Sequence, residues 1–144
     1  MTSEQVTILI VDDDPRIVEV LREGLEVLGG FRVASAADGE QGLERFEEVR
    51  PHAVIIDVRM PGIDGYQLAR AIRGDPATAQ TPLVFLTAMA QDRDRYIGLA
   101  SGADIYLIKP VAPSELVEAI RGALALDADG RLRRMRDMAQ GDSA

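Results

Sequence analysis

The chain has 144 residues, 47% of them hydrophobic, with no cysteine and a formal net charge of −8. That length suits one domain with a proper core, and the composition is that of a folded chain rather than a disordered one. The missing cysteine excludes disulfides and thiolate metal sites, and the acidic balance argues against direct nucleic-acid binding, which draws on clustered cations.

Short apolar runs alternate with amphipathic segments five times. The first run, residues 6–11, is V-T-I-L-I-V. It leads into a helical pattern with Ile17, Val18, Leu21, Leu25 and Leu28 on one face. Asp14 is its expected N-cap, Pro15 its first residue, and Gly29-Gly30 its end. A second strand is expected over residues 31–35 and a second helix over 38–49, where Asp38 and Gln41 resemble a capping box. The third strand, 53–56, precedes a helix that starts near Asp64 and ends by Gly74. The fourth strand, 83–86, precedes a helix over about 92–101 that Gly102 stops. The fifth, 105–108, precedes a helix from Pro113 to about residue 126. These strands are short, β-branched and mostly unalternating, as in a parallel sheet buried on both faces. Five such units predict an α/β fold with a doubly wound parallel sheet.

Ligands in such sheets bind beyond the carboxyl ends of the strands. The first strand delivers Asp12, Asp13 and Asp14 there; the third delivers Asp57; the fourth delivers Thr87 and Ala88; the fifth delivers Lys109. Lys109 is the single lysine, set against fifteen arginines. An ammonium is a compact point charge, whereas guanidinium is a wide planar fork, so a tight anion site can demand the first. A helix N-terminus that favours negative charge accounts for Asp14. It does not account for Asp57, which follows apolar residues and precedes V-R-M-P-G. If the first and third strands are neighbours, Asp12, Asp13 and Asp57 converge. At ~4 Å and an effective dielectric near 20, each like-charge pair repels by roughly 4 kcal/mol. Lys109 offsets one charge, and a divalent cation must offset the rest. All-oxygen ligation suits Mg²⁺ or Mn²⁺ better than zinc, with cysteine absent and His52 the lone histidine.

V-D-D-D-P (11–15), I-I-D-V-R-M-P-G-I-D-G (55–65), F-L-T-A (85–88) and Y-L-I-K-P (106–110) occur in that order. Together they resemble the receiver domain of two-component response regulators, of the chemotaxis-receiver kind, over about residues 6–126. The resemblance implies a flavodoxin-like five-stranded sheet in the order 2-1-3-4-5, with residues 127–144 as a C-terminal extension or linker start. It implies that Asp57 accepts a phosphoryl group from a histidine kinase or phosphotransfer protein. Asp13, Asp57 and the main-chain carbonyl of Arg59 would hold Mg²⁺, with Asp12 acting largely through water. Lys109 would pair with Asp57 and then with a phosphoryl oxygen, ahead of a cis bond to Pro110. Thr87 would be the switch hydroxyl, Ala88 would leave room for it, and Tyr106 would be the switch aromatic that rotates inward.

Three positions depart from the family pattern. Ile105 replaces an acidic residue common in winged-helix regulators, which weakens the case for their usual dimer, while a homodimer through the fourth helix, fifth strand and fifth helix stays open. Val111 replaces a common aromatic, and Arg59 is a bulky cation at the pocket mouth. His52 reads as a solvent-side loop residue, and Met60 and Met89 as loop packing. Beyond residue 126, D-A-D-G reads as a turn and R-L-R-R-M-R as a solvated helical end.

The expected function is a phosphorylation-controlled switch, not an enzyme with an external substrate, acting on a protein target or a linked effector. A Mg²⁺-dependent aspartyl-phosphate phosphohydrolase is the alternative, but it would carry its nucleophile after the first strand. An FMN carrier would need a glycine- and hydroxyl-rich loop where D-D-D stands. A degenerate receiver would lack some of Asp12, Asp13, Asp57, Thr87 and Lys109, all of which are present. No apolar stretch is long enough to cross a bilayer, and M-T-S-E-Q lacks the features of a signal peptide. A cytoplasmic location without membrane contact is expected.

Overall fold

The computed structural model describes residues 5–126. Five strands form one parallel sheet: β1 (Thr7–Val11), β2 (Arg32–Ala36), β3 (Ala53–Ile56), β4 (Leu83–Thr87) and β5 (Ile105–Ile108). Their order is β2-β1-β3-β4-β5. Five helices alternate with them among the described residues: α1 (Pro15–Gly29), α2 (Gly39–Val49), α3 (Gly65–Gly74), α4 (Asp92–Ala100) and α5 (Pro113–Leu124). This is the expected fold, with element ends moved by one or two residues, the usual uncertainty where helices and strands fray. The extension expected over 127–144, with its D-A-D-G and R-L-R-R-M-R, lies outside the described residues.

Period-two alternation along the strands divides the core into two layers. Leu9, Val11, Val54, Ile56, Leu83 and Phe85 face α2 and α3, where Phe46, Leu68 and Ile72 meet them. Ile8, Ile10, Ile55, Val84 and Leu86 face α1 and α5, where Val18, Leu21, Leu25, Leu116 and Ile120 meet them. Both layers are needed because the sheet is buried on both faces, which is why the strands are apolar without alternation. Ile105 and Val111 pack partly buried against the α1–α5 layer, so their apolar character serves that core.

The helix signals are realised with two corrections. Asp14 caps α1 by accepting from the amide of Arg16 at 3.0 Å, and Gly30 ends the helix in the left-handed region at φ 69°. Leu28, expected on the buried face, is 52% exposed. Phe31 turns back against Gly29, where a Cβ would lie 2.5 Å from its ring, and fills that end of the layer itself. The reciprocal cap of α2 is also displaced. Asp38 accepts from the amide of Gln41 at 2.8 Å, but the Gln41 side chain accepts from Ala37, one residue before the cap. The complete capping box belongs to α3, between Asp64 and Gln67.

His52 is exposed, as expected, yet it is fixed. Its Nδ1 accepts from the amide of Thr7 at 3.0 Å, extending the pairing of β1 with the segment before β3.

Candidate phosphoacceptor site

Strand pairing continues one residue past the strand ends and fixes the backbone of the site. Val11 lies opposite Ile56. The next amides carry the ladder on: Asp57 donates to Val11 at 2.9 Å, Asp12 to Ala36 at 3.1 Å, and Lys109 to Thr87 at 2.8 Å. Asp12, Asp57, Thr87 and Lys109 are therefore placed by the sheet rather than by free loops.

The P-G-I-D-G turn completes the floor. The amide of Gly65 donates to the carbonyl of Val58 at 2.9 Å. A Cβ at Gly65 would stand 2.5 Å from the main-chain oxygen of Asp57, so only glycine lets α3 begin against the end of β3. The Lys109–Pro110 bond is cis.

Lys109 reaches into the carboxylates. Its Nζ lies 2.9 Å from Asp12 Oδ2 and 3.2 Å from Asp57 Oδ2. The resemblance implied a pair with Asp57; the ammonium is shared, and its shorter contact is with Asp12. The other carboxylate oxygen of each residue accepts from an amide two residues on. Asp12 Oδ1 takes the amide of Asp14 at 2.9 Å and Asp57 Oδ1 that of Arg59 at 3.3 Å. Asp12 and Asp57 are buried, whereas Asp13 is exposed. Burial disfavours the charge of Lys109, but its hydrogen bond to Asp12 and the charges of Asp57 and Asp12 outweigh this. The ammonium consequently titrates above the usual lysine range.

Asp12, Asp13 and Asp57 each offer one carboxylate oxygen, all within 4.8 Å of one another. Opposite ligands of an octahedral Mg²⁺ stand ~4.2 Å apart, given ligand distances of ~2.1 Å. A small closure of three oxygens accommodates such an ion, and the all-oxygen donor set suits it. Asp14 stands apart, engaged with Arg16 at the start of α1.

Asp57, Arg59, Thr87, Ala88 and Lys109 line one cleft of about 550 Å³. Met89, Gln91, Arg93 and Asp94 complete its far wall. Arg93 is not marked in the sequence by any motif; it is the first of two arginines in Q-D-R-D-R. Thr87 is buried, and its Oγ1 accepts from the amide of Met89 at 3.3 Å. Tyr106 does not line the cleft. Its ring is buried, and its hydroxyl donates to the carbonyl of Met89 at 2.8 Å. Met89, read from sequence as packing, thus links Thr87 and Tyr106 through its own peptide groups. Met60 is packed in the α2–α3 layer, in line with the packing expected of it.

The response regulator receiver domain family matches residues 8–121. The chain belongs to that family. Among curated relatives, the transcriptional regulatory protein AfsQ1 of Streptomyces coelicolor is 43% identical, over 82% of this chain and 51% of its own length. The DNA-binding response regulator MtrA of Mycolicibacterium smegmatis is 40% identical, over 90% of this chain and 55% of its own. This receiver spans about half the length of these relatives. The receiver domain of the sensor histidine kinase PA1611 of Pseudomonas aeruginosa superposes with a TM-score of 0.78 at 34% identity. That match covers 85% of this chain and all of the other, whose magnesium ion is coordinated in its active-site cleft. Among the described residues of this receiver, no helix is long and apolar enough to cross a membrane.

Proposed function

We propose that this receiver domain is a Mg²⁺-dependent switch that accepts a phosphoryl group on Asp57 from a histidine kinase or phosphotransfer protein. The observation that carries the reading is the convergence of Asp12, Asp13 and Asp57, the first and last of them sharing Lys109, at the mouth of a cleft. A carboxylate oxygen of Asp57 attacks phosphorus, the P–N bond of the phosphohistidine breaks, and an acyl phosphate forms with imidazole as the leaving group. When bound, the divalent ion neutralises charge on the phosphoryl oxygens. Asp13, Asp57 and the carbonyl of Arg59 would hold it, with Asp12 acting largely through water. Lys109 exchanges its contact with Asp57 for one with a phosphoryl oxygen.

Phosphorylation adds about −1.5 to −2 charges. Thr87 accepts a hydrogen bond from Met89, which leaves its own hydroxyl proton available to an anion in the cleft. Through Met89, that contact bears on Tyr106, and so on α4 and β5. This face exposes Tyr96 and Ile97 and offers a surface for a protein target or a second copy. AfsQ1 is named a transcriptional regulatory protein and MtrA a DNA-binding response regulator, which supports output through a linked effector. Arg59, at the cleft mouth, modulates water access to the acyl phosphate; an unchanged dephosphorylation rate in Arg59→Ala removes that role.

The test is incubation with Mg²⁺ and a small phosphodonor, followed by intact mass. One added phosphoryl group, absent in Asp57→Ala, is the expected outcome. No adduct with any donor or kinase overturns the reading, and rapid turnover of an external phosphomonoester favours the phosphohydrolase instead.

A further inference from the structure

Helix α4 forms part of the cleft wall, yet little apolar surface fixes it to the body. Gly98 is its one buried residue, and Tyr96 and Ile97 point outward. Gly98 is there to admit a ring, since a Cβ would stand 2.6 Å from Tyr106 and 2.8 Å from Phe85. A helix held by so few apolar contacts belongs to the low-stability end of a domain, and its polar tethers decide where it sits.

Two phenols supply those tethers. Tyr106 donates to the carbonyl of Met89 at 2.8 Å, and Tyr66, the second residue of α3, donates to the carbonyl of Asp94 at 3.3 Å. Phe85 stands between them and meets both rings edge-on, with centroids 5.8 Å and 5.9 Å away. The first turn of α4 is also closed on itself, because the Asp94 carboxylate accepts from the amide of Gln91 at 3.2 Å. The segment from Met89 to Asp94 is therefore held at both ends, and most of it lines the cleft with Asp57 and Lys109.

We propose that Tyr66 is a second positioning residue of the switch, clasping the Asp94 end of this segment while Tyr106 clasps the Met89 end. The assignment rests on the switch function proposed above. Its consequence follows from Thr87. With Met89 held, the Met89 amide donates to one lone pair of Thr87 Oγ1 and leaves the hydroxyl proton to face an anion. Loosening the Asp94 end gives the segment more conformations, and fewer of them present that donor.

The experiment uses the whole chain with Mg²⁺ and beryllofluoride, a non-transferable phosphoryl mimic. Tyr66→Phe keeps the ring against Phe85 and removes only the hydroxyl. One neutral hydrogen bond is worth ~0.5–1.5 kcal/mol, so Tyr66→Phe is expected to weaken beryllofluoride binding about two- to tenfold. It also shifts the amide resonances of Met89 and Asp94 before any ligand is added. In a Thr87→Ala background the same substitution should have no further effect on affinity. An equal loss in that background means a general structural role and overturns the proposal, as does Tyr66→Phe binding like wild type. If wild type binds no beryllofluoride, or Asp57→Ala binds it equally well, the switch reading fails and takes this assignment with it. If wild type binds and Asp57→Ala does not, the affinity of Tyr66→Phe decides the assignment alone.

Discussion

The ammonium of Lys109 lies closer to Asp12, at 2.9 Å, than to Asp57, at 3.2 Å, and so bridges the first and third strands. One point charge with three donors can face both carboxylates at once, whereas a planar fork commits its donors to fixed directions. Lys109→Arg is therefore expected to keep the fold and lose the switch. Loss of a charge-assisted contact to the phosphoryl group, ~1.5–3 kcal/mol, corresponds to at least a tenfold drop in beryllofluoride affinity. Near-normal affinity in the arginine variant would show that charge alone is sufficient.

Asp13 is the exposed member of the carboxylate group, and it makes no contact with Lys109 among the described ion pairs. Its removal should separate stability from metal binding. Without Mg²⁺, Asp13→Asn relieves like-charge repulsion, and the thermal midpoint holds or rises. With Mg²⁺, wild type gains ~2.7 kcal/mol when the ion stands at a hundredfold excess over its dissociation constant. The variant, with affinity reduced at least tenfold, should lose about half of that gain or more. Equal stabilisation of both proteins by Mg²⁺ counts against Asp13 as a ligand.

Much of this was legible because the signals are local. Strands buried on both faces must be apolar throughout, and Asp57 breaking such a run marks a strand end with work to do. The Asp14 and Asp64 caps are likewise short-range patterns. The rest depends on partners far apart in sequence. Tyr66 meets Asp94 across 28 positions, and Met89 works through its backbone, which no side-chain pattern encodes. Gly98 inside the pattern D-R-D-R-Y-I-G-L-A was the one visible hint that a ring packs against α4.

Burial raises the titration of Tyr106 and Tyr66 above the ordinary phenol range, and the negative charge of Asp94 adds to it in both. A folded-state value above the unfolded ~10 means that the native state retains protons the unfolded state releases. The stabilisation is complete below pH ~10 and is lost as pH rises through the folded values. Ultraviolet titration of phenolate, followed alongside circular dichroism, should show these two tyrosines ionising together with alkaline unfolding. Reversible ionisation of all three tyrosines below that pH, with the fold intact, contradicts the burial argument.

At the opposite end of the sheet from the cleft, Arg73 closes α3 onto the β4–β5 region. Its Nη2 lies 3.1 Å from Asp104 Oδ2, its Nε donates to the carbonyl of Gly102 at 2.9 Å, and Nη1 donates to that of Ala79 at 3.0 Å. Asp104 Oδ2 also accepts from the amide of Leu83 at 2.9 Å, and its side chain is 1% exposed. Such a pair contributes little net against a hydrophobic replacement of both partners, but removing one partner leaves a buried charge without its counter-ion in this pair. Arg73→Leu is expected to destabilise the domain by ~3–5 kcal/mol, read from denaturant midpoints. Arg73→Leu combined with Asp104→Leu should recover part of that loss. The site itself stands at the carboxyl ends of β1, β3, β4 and β5, away from this ion pair, so Mg²⁺ and beryllofluoride should bind the folded single variant as they bind wild type. A loss of binding without a loss of stability would mean that this ion pair reports to the cleft rather than to the core.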